Sequence, residues 1–336
     1  MLIGDFNKGA LDYYRIFKRY YIQSKISTRS PVKIYNYQMH DLNNYGLMNN
    51  YSIEDHWLAK FILSRNYLDK RTLSIFGVNG DKLAIKINRS DFKLFYTIEN
   101  VHVKLSPWHK YEDLLIFDKR IDLSLGFDYI NNKKYLRFPY WLMTMFDPTD
   151  TYEIIRQKCK KLNQTNSKMD SQNKFGAFIC REDYFGDRAY FLNQIEQIDR
   201  ISCPGKFRHN DNELKEKFAD NKLSYLKQFK FNLCPENSNS MGYVTEKIFD
   251  AITSGCIPIY WGSENKPESE ILNQDAIFFL TLNGNNEHVL NEIDVLHKSP
   301  KLYREFSNQN RLTNEAPEVI YSFFQRLDNK LKDIVC

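Results

Sequence analysis

The sequence lacks the common arrangements of metal ligands. Its six cysteines (Cys159, Cys180, Cys203, Cys234, Cys256 and Cys336) include no Cys-x-x-Cys pair, and its seven histidines are scattered, so zinc spacing is absent. No Asp-x-Asp motif stands in a plausible metal loop. The nearest imitation, Asp211 within His209-Asn-Asp-Asn-Glu213, falls in a polar, surface-like stretch. No apolar stretch approaches the roughly 18 residues of a membrane span, and the opening MLIGDFNKGALDYY has no signal-peptide core. The Asn-x-Ser/Thr sites at Asn50, Asn88 and Asn163 then read as chance matches. Charge of one sign is also lacking. Against 42 acidic residues stand 47 basic ones, a net +5 without the dense basic stripe of a nucleic-acid binder. The longest basic cluster, Lys158-Cys-Lys-Lys161, is short, and a few cations focused on one phosphorylated ligand account for the balance.

What is present points to a folded chain of two domains. The length of 336 residues favours two domains over one. Aromatics reach 15%, enough to argue against disorder and for well-filled cores. Several cysteines lie inside apolar runs, as buried reduced thiols do, which points to a reducing compartment. The first half alternates strands and helices. Val32 to Tyr37, Leu73 to Val78 and Phe92 to Ile98 read as strands, and Asn79-Gly80 as a turn. Ser52-Ile-Glu-Asp55 resembles a capping box ahead of a helix through Trp57, Leu58, Phe61 and Ile62. Residues 149–174 turn polar and read as a helix followed by an exposed linker. Phe175 to Cys180 then begins a second half as a strand, and Asp187 to Ile198 forms a helix. The C-terminal stretch repeats Ile320, Phe324, Leu327, Leu331 and Ile334 at helical spacing behind Pro317, as in a helix packing one stripe on the body. The expected division is 1–150, a linker region 151–174, 175–315, and a C-terminal helix 316–336. In parallel sheets ligands bind beyond the carboxyl ends of strands.

One segment has the pattern of a phosphate site. Lys230 to Cys234 is a short apolar strand, Pro235 to Gly242 a polar loop, and Tyr243-Val-Thr-Glu-Lys247 opens a helix that Gly255 ends; Cys256 to Gly262 is the next strand. Thr245 is a natural N-cap, so backbone N–H groups point out of a helix start that attracts anions. Lys247 adds a positive charge where an acid would be more stable. Glu246 could accept ribose hydroxyls, and Tyr243 offers a flat face for a base. From spacing alone, Glu246 and Lys247 read equally well as solvated residues of an amphipathic helix.

The segment FNLCPENSNSMGYVTEKIFDAITSGCIPIYWGS, Phe231 to Ser263, resembles the signature of the α-1,3/4-fucosyltransferase family. Pro235 stands where that family often has Phe. Phe95-Tyr-Thr-Ile-Glu-Asn100 is similar to a second family motif, with Ile98 in place of Gly; Ser124-Leu-Gly-Phe-Asp128, Tyr135-Leu-Arg-Phe-Pro139 and Arg188-Ala-Tyr-Phe-Leu-Asn193 follow in order. The resemblance covers Phe92 to Ser263 and implies an α/β fold of the GT-B type, two Rossmann-like domains facing across a cleft. The N-terminal domain would hold an oligosaccharide acceptor and the C-terminal domain GDP-fucose.

It also implies an inverting transfer of L-fucose from GDP-β-L-fucose, with O3 of GlcNAc in a galactose-containing acceptor as the expected nucleophile. Glu99 would be the general base. Arg188 and Lys247 would stabilise the departing diphosphate, beside Glu236, Asn237, Tyr243, Thr245 and Glu246 in the donor site. Taken without the family, Glu99 is a strand-end carboxylate, Arg188 a surface arginine, and Asn237 to Ser240 a turn-rich connection. Gln38, His40 and Asp41, after the first strand, are placed for acceptor contacts by position alone. No essential metal is expected, a divalent ion being at most stimulatory. The rival readings are a transferase for another sugar nucleotide and a non-catalytic carbohydrate-binding module. The expected location is the cytoplasm of a bacterium, with at most peripheral contact with the inner membrane.

Overall fold

A computed structural model describes residues 56–65, 71–78, 82–164 and 172–335, the backbone of 33–37, and the isolated positions Tyr14 and Lys18. Gln38, His40, Asp41, Asn50, Ser52 to Asp55, Asn79-Gly80 and Cys336, on which the sequence sets expectations, lie outside these residues. The chain divides into two compact units, Met1–Pro139 with Phe146–Thr149 and Phe323–Cys336, and Tyr140–Met145 with Asp150–Ser322.

The first unit holds a five-stranded parallel sheet among the described residues. Its strands, β1 (Lys33–Tyr37), β2 (Thr72–Gly77), β3 (Phe92–Tyr96), β4 (Leu123–Gly126) and β5 (Tyr135–Arg137), stand in sequence order. The apolar runs become strands because β2, the end of β3 and β4 are buried. Helix α1 (Trp57–Leu63) follows the expected apolar spacing and buries Leu58, Phe61 and Ile62. Trp57 stacks on Phe61 and meets the edges of Phe138 and Phe324 within 6 Å, an aromatic cluster that supplies much of this core. Helix α2 (Lys82–Ile87) connects β2 to β3.

The second unit begins with α3 (Trp141–Met145) and α4 (Tyr152–Asn163). Thr151 caps α4 by accepting from the Ile154 N–H, and the helix belongs to this unit, so the expected linker region 151–174 starts as ordered structure. A second five-stranded parallel sheet follows: β6 (Lys174–Ala177), β7 (Ile201–Ser202), β8 (Phe229–Leu233), β9 (Ile257–Tyr260) and β10 (Phe278–Phe279), in the order β10-β9-β8-β6-β7. Helices α5 (Asp187–Ile195), α6 (Glu213–Glu216), α7 (Lys222–Leu226), α8 (Glu246–Thr253), α9 (Glu287–Lys298) and α10 (Pro300–Ser307) surround it. Phe191, Leu192 and Ile195 of α5 pack on Phe231, Ile257 and Ile259 in one core. Gly255, at φ +82°, ends α8. Its N–H donates to the Ile252 carbonyl and the Cys256 N–H to that of Ala251, the paired bonds of a Schellman cap.

Helix α11 (Ala316–Val335) carries the expected stripe, with Ile320, Phe324, Leu327 and Leu331 all buried. It is not a separate C-terminal element, because its residues through Ser322 belong to the second unit and those from Phe323 to the first. The five described cysteines are buried and free. Among the described residues no helix is long and apolar enough to cross a membrane.

Candidate functional site

The strand order of the second sheet locates its crevice. Read from β6, the sheet runs outward on one side to β7 and on the other to β8, so the connections reverse between β6 and β8. At such a reversal the loops leave in opposite directions and open a hollow at the strands' carboxyl ends. A cavity stands there, walled by the chain after β6 at Cys180 and by the end of β8 at Cys234 and Pro235, with Arg188, Lys222 and Lys247 on its lining.

Each cation is held by local structure. Asp183 caps α5 by accepting from the Gly186 N–H at 3.1 Å and the Ala189 N–H at 2.8 Å, and Gly186 turns into the helix at φ +81°. Arg188, in that first turn, donates to the Glu182 carbonyl at 2.5 Å and to the side-chain oxygen of Asn237. The structure therefore joins two residues expected in the donor site, 49 positions apart. The sulfur of Cys180 lies 3.5 Å from the Arg188 guanidinium, and burial pushes this thiol above its ordinary range, leaving it neutral.

The start of α8 is built on Glu236. This carboxylate, 0% exposed, accepts from the Thr245 N–H at 2.7 Å, the Thr245 hydroxyl at 2.8 Å and the Lys247 ammonium at 3.0 Å. Buried charge is tolerable only with such partners. Gly262, at φ +142°, leaves room for it: a Cβ there would lie 2.7 Å from the Glu236 Cγ.

Three expectations are corrected by this arrangement. Thr245 is the N-cap residue by position, but its hydroxyl donates to Glu236 and makes no cap bond. Lys247 is not an uncompensated cation. Burial would push its ammonium down, but Glu236 and Glu246 outweigh that and hold it above its ordinary value. Tyr243 is 2% exposed and presents no open face to a base. Glu236 likewise shapes the loop from below and has no surface for a direct ligand contact. Glu246 is partly exposed, beside Lys247 in the first turn of α8. Burial raises its carboxyl, and Lys247 and Lys222 more than offset this, leaving it ionised and able to accept hydroxyl groups.

Glu99 lies in the first unit, three residues beyond the end of β3. The Thr97 hydroxyl fixes its peptide, accepting from the Glu99 N–H at 3.1 Å and donating to the Glu99 carbonyl at 2.7 Å. The same loop continues to His102, whose Nδ1 meets Glu112 and whose Nε2 meets Asp128, both at 2.7 Å. Two acceptors on one ring select the doubly protonated imidazolium. The hydrogen bond to Asp128 raises His102 to about 9 against the opposing effect of burial, with Glu112 adding to it. Tyr135 completes the arrangement by donating to Asp128 at 3.0 Å.

This clamp has a measurable consequence. A group raised from 6.5 to about 9 contributes stability that is fully present below pH 6.5 and is lost as pH rises through 9. The partly exposed ring reduces the size of the effect. The Tm of the wild type is expected to fall between pH 6 and pH 9.5 by on the order of 2 °C more than that of His102→Gln. Thermal unfolding of both at the two pH values checks this, and an equal fall in the two proteins would contradict it.

Sequence reasoning missed Lys222 and His102. Neither belongs to a motif: Lys222 reaches the cavity only because α7 packs beside α8, and His102 only because the 3-10 turn His109–Leu114 and the end of β4 bring Glu112 and Asp128 to it. Among the described residues no group of three His, Cys, Asp or Glu side chains is arranged to hold a metal.

Comparison with known proteins agrees with the fold and the motifs. Residues 169–317 match the sequence profile of glycosyltransferase family 10 (fucosyltransferase), C-terminal part. The α-(1,3)-fucosyltransferase FucT of Helicobacter pylori is 28% identical over 233 residues, covering 62% of this chain and 47% of that protein. The α-(1,3)-fucosyltransferase B of Drosophila melanogaster is 30% identical over 213 residues, covering 56% and 47%. The chain thus spans about half the length of these curated relatives. Among solved structures, an α1,3-fucosyltransferase aligns with a TM-score of 0.55 at 24% identity over 81% of this chain and 84% of that one. One with GDP-fucose aligns at 0.50 and 24% over 76% and 77%. The chain has the α/β fold of the α1,3-fucosyltransferases. Over residues 169–317 it is similar in sequence to the C-terminal part of that glycosyltransferase family.

Proposed function

We propose that this chain is an inverting fucosyltransferase that moves L-fucose from GDP-β-L-fucose to a hydroxyl of a galactose-containing oligosaccharide, with O3 of GlcNAc as the acceptor atom. The observation that carries this reading is the pair of cations Arg188 and Lys247 at the reversal of the second sheet, where a nucleotide diphosphate finds charge and strand-end geometry together.

Inversion requires one in-line displacement. The acceptor oxygen attacks the anomeric carbon as the bond to the β-phosphate breaks on the opposite face. The acceptor proton passes to Glu99, and the charge left on GDP is taken up by Arg188 and Lys247. Glu236 and Thr245 hold Lys247 in place, Asn237 orients Arg188, and Glu246 accepts from the ribose. These side chains supply the neutralisation that a divalent ion provides in other transferases, so metal is at most stimulatory.

The test is transfer of labelled fucose from GDP-fucose to a panel of galactose-terminated acceptors in the presence of a chelator. Turnover that needs GDP-fucose and survives chelation is the expected result. Preference for another sugar nucleotide would overturn the donor assignment, and loss on chelation the metal-independent route.

A further inference from the structure

We propose that Lys222 is a third diphosphate-binding cation of this cavity, held in place by Asp250. The inference rests on the donor reading above and adds a residue that no motif singles out.

Lys222 is the first residue of α7, and Asn221 fixes that turn by accepting from the Ser224 N–H at 2.9 Å. Its ammonium donates to Asp250 at 2.5 Å, with the side chain 31% exposed. Asp250 lies on α8, three positions after Lys247, so one helix face carries Lys247 and the carboxylate that holds Lys222. The ammonium acts beyond this pair. It lowers the Glu246 carboxyl and opposes the effect of burial on the Cys234 thiol, which places its charge at the end of β8 and at the start of α8.

Charge balance gives Lys222 its use. The departing nucleotide gains about one unit of negative charge on its β-phosphate. Arg188 donates to neutral oxygens, whereas Lys247 is paired with Glu236 and Lys222 with Asp250. Lys222 adds a third cation to the same lining, shared between Asp250 and the phosphate. A purely structural tie between α7 and α8 would explain the ion pair but not a dependence on the phosphates of the ligand.

Calorimetric titration of the full chain with GDP and with guanosine separates the two roles. Lys222→Gln is expected to bind GDP about tenfold more weakly with guanosine affinity unchanged, and Lys222→Arg to recover most of the loss. Wild-type GDP affinity in Lys222→Gln, or an equal loss for guanosine, would overturn the proposal while leaving the donor reading intact. A wild-type chain that binds no GDP would overturn both. If Lys222→Gln does not fold, Lys222→Met decides by the same comparison: a tenfold loss for GDP with guanosine affinity unchanged supports the role, and unchanged GDP affinity contradicts it.

Discussion

Glu99→Gln is expected to lower fucose transfer by about 10²–10⁴-fold, the range a positioned general base supplies, with GDP affinity within error of the wild type. The substitution is conservative where structure is concerned. Both bonds to the Thr97 hydroxyl use the Glu99 backbone, so the loop after β3 keeps its turn. What is lost is an oxygen able to take a proton. GDP affinity is expected to stay constant because Glu99 and the three cations belong to different units of the chain. Steady-state kinetics and GDP titration on the same preparation check both halves. Wild-type turnover would remove Glu99 from the mechanism, and parallel loss of GDP binding would give it a donor-side role instead.

Lys247→Ala has the second large effect, and it is expected to appear in stability as well as activity. The variant leaves the fully buried Glu236 carboxylate without its ammonium partner. Breaking a buried ion pair from one side costs about 3 kcal/mol or more, because the remaining charge stays desolvated. Transfer and donor affinity fall in the same variant. The double variant Lys247→Ala, Glu236→Gln separates the two consequences: stability is expected to return most of the way, and donor binding to stay lost. Thermal unfolding beside donor KM measures this. Recovery of both would mean that Lys247 serves only to neutralise Glu236. Arg188→Ala is expected to raise the donor KM and lower kcat without the stability loss, since its partners are a carbonyl, an amide oxygen and a thiol rather than a buried carboxylate.

The sequence made the second unit's core legible. An apolar strand, a polar loop, a helix ending at glycine and another apolar strand follow one another from Phe229 to Tyr260. Local patterning could not show what the loop does with its charges. Glu236 reads as one more polar loop residue, yet it is the buried anchor on which Thr245 and Lys247 depend. Its burial is decided by the packing of Gly262 and Tyr260 from the following strand and loop. Tyr243 misled for the same reason: an aromatic at a helix entrance can face ligand or core, and here it faces the core. Lys222 and His102 gain their partners from elements up to 28 positions away, a range that periodicity does not reach.

The most direct test of the account is a crystal structure of the chain with GDP bound. The account predicts the diphosphate at the carboxyl ends of β6 and β8, with phosphate oxygens in hydrogen-bond reach of Arg188 and Lys247 at the start of α8. A diphosphate bound elsewhere, with Lys247 still directed only at Glu236 and Thr245, would contradict it.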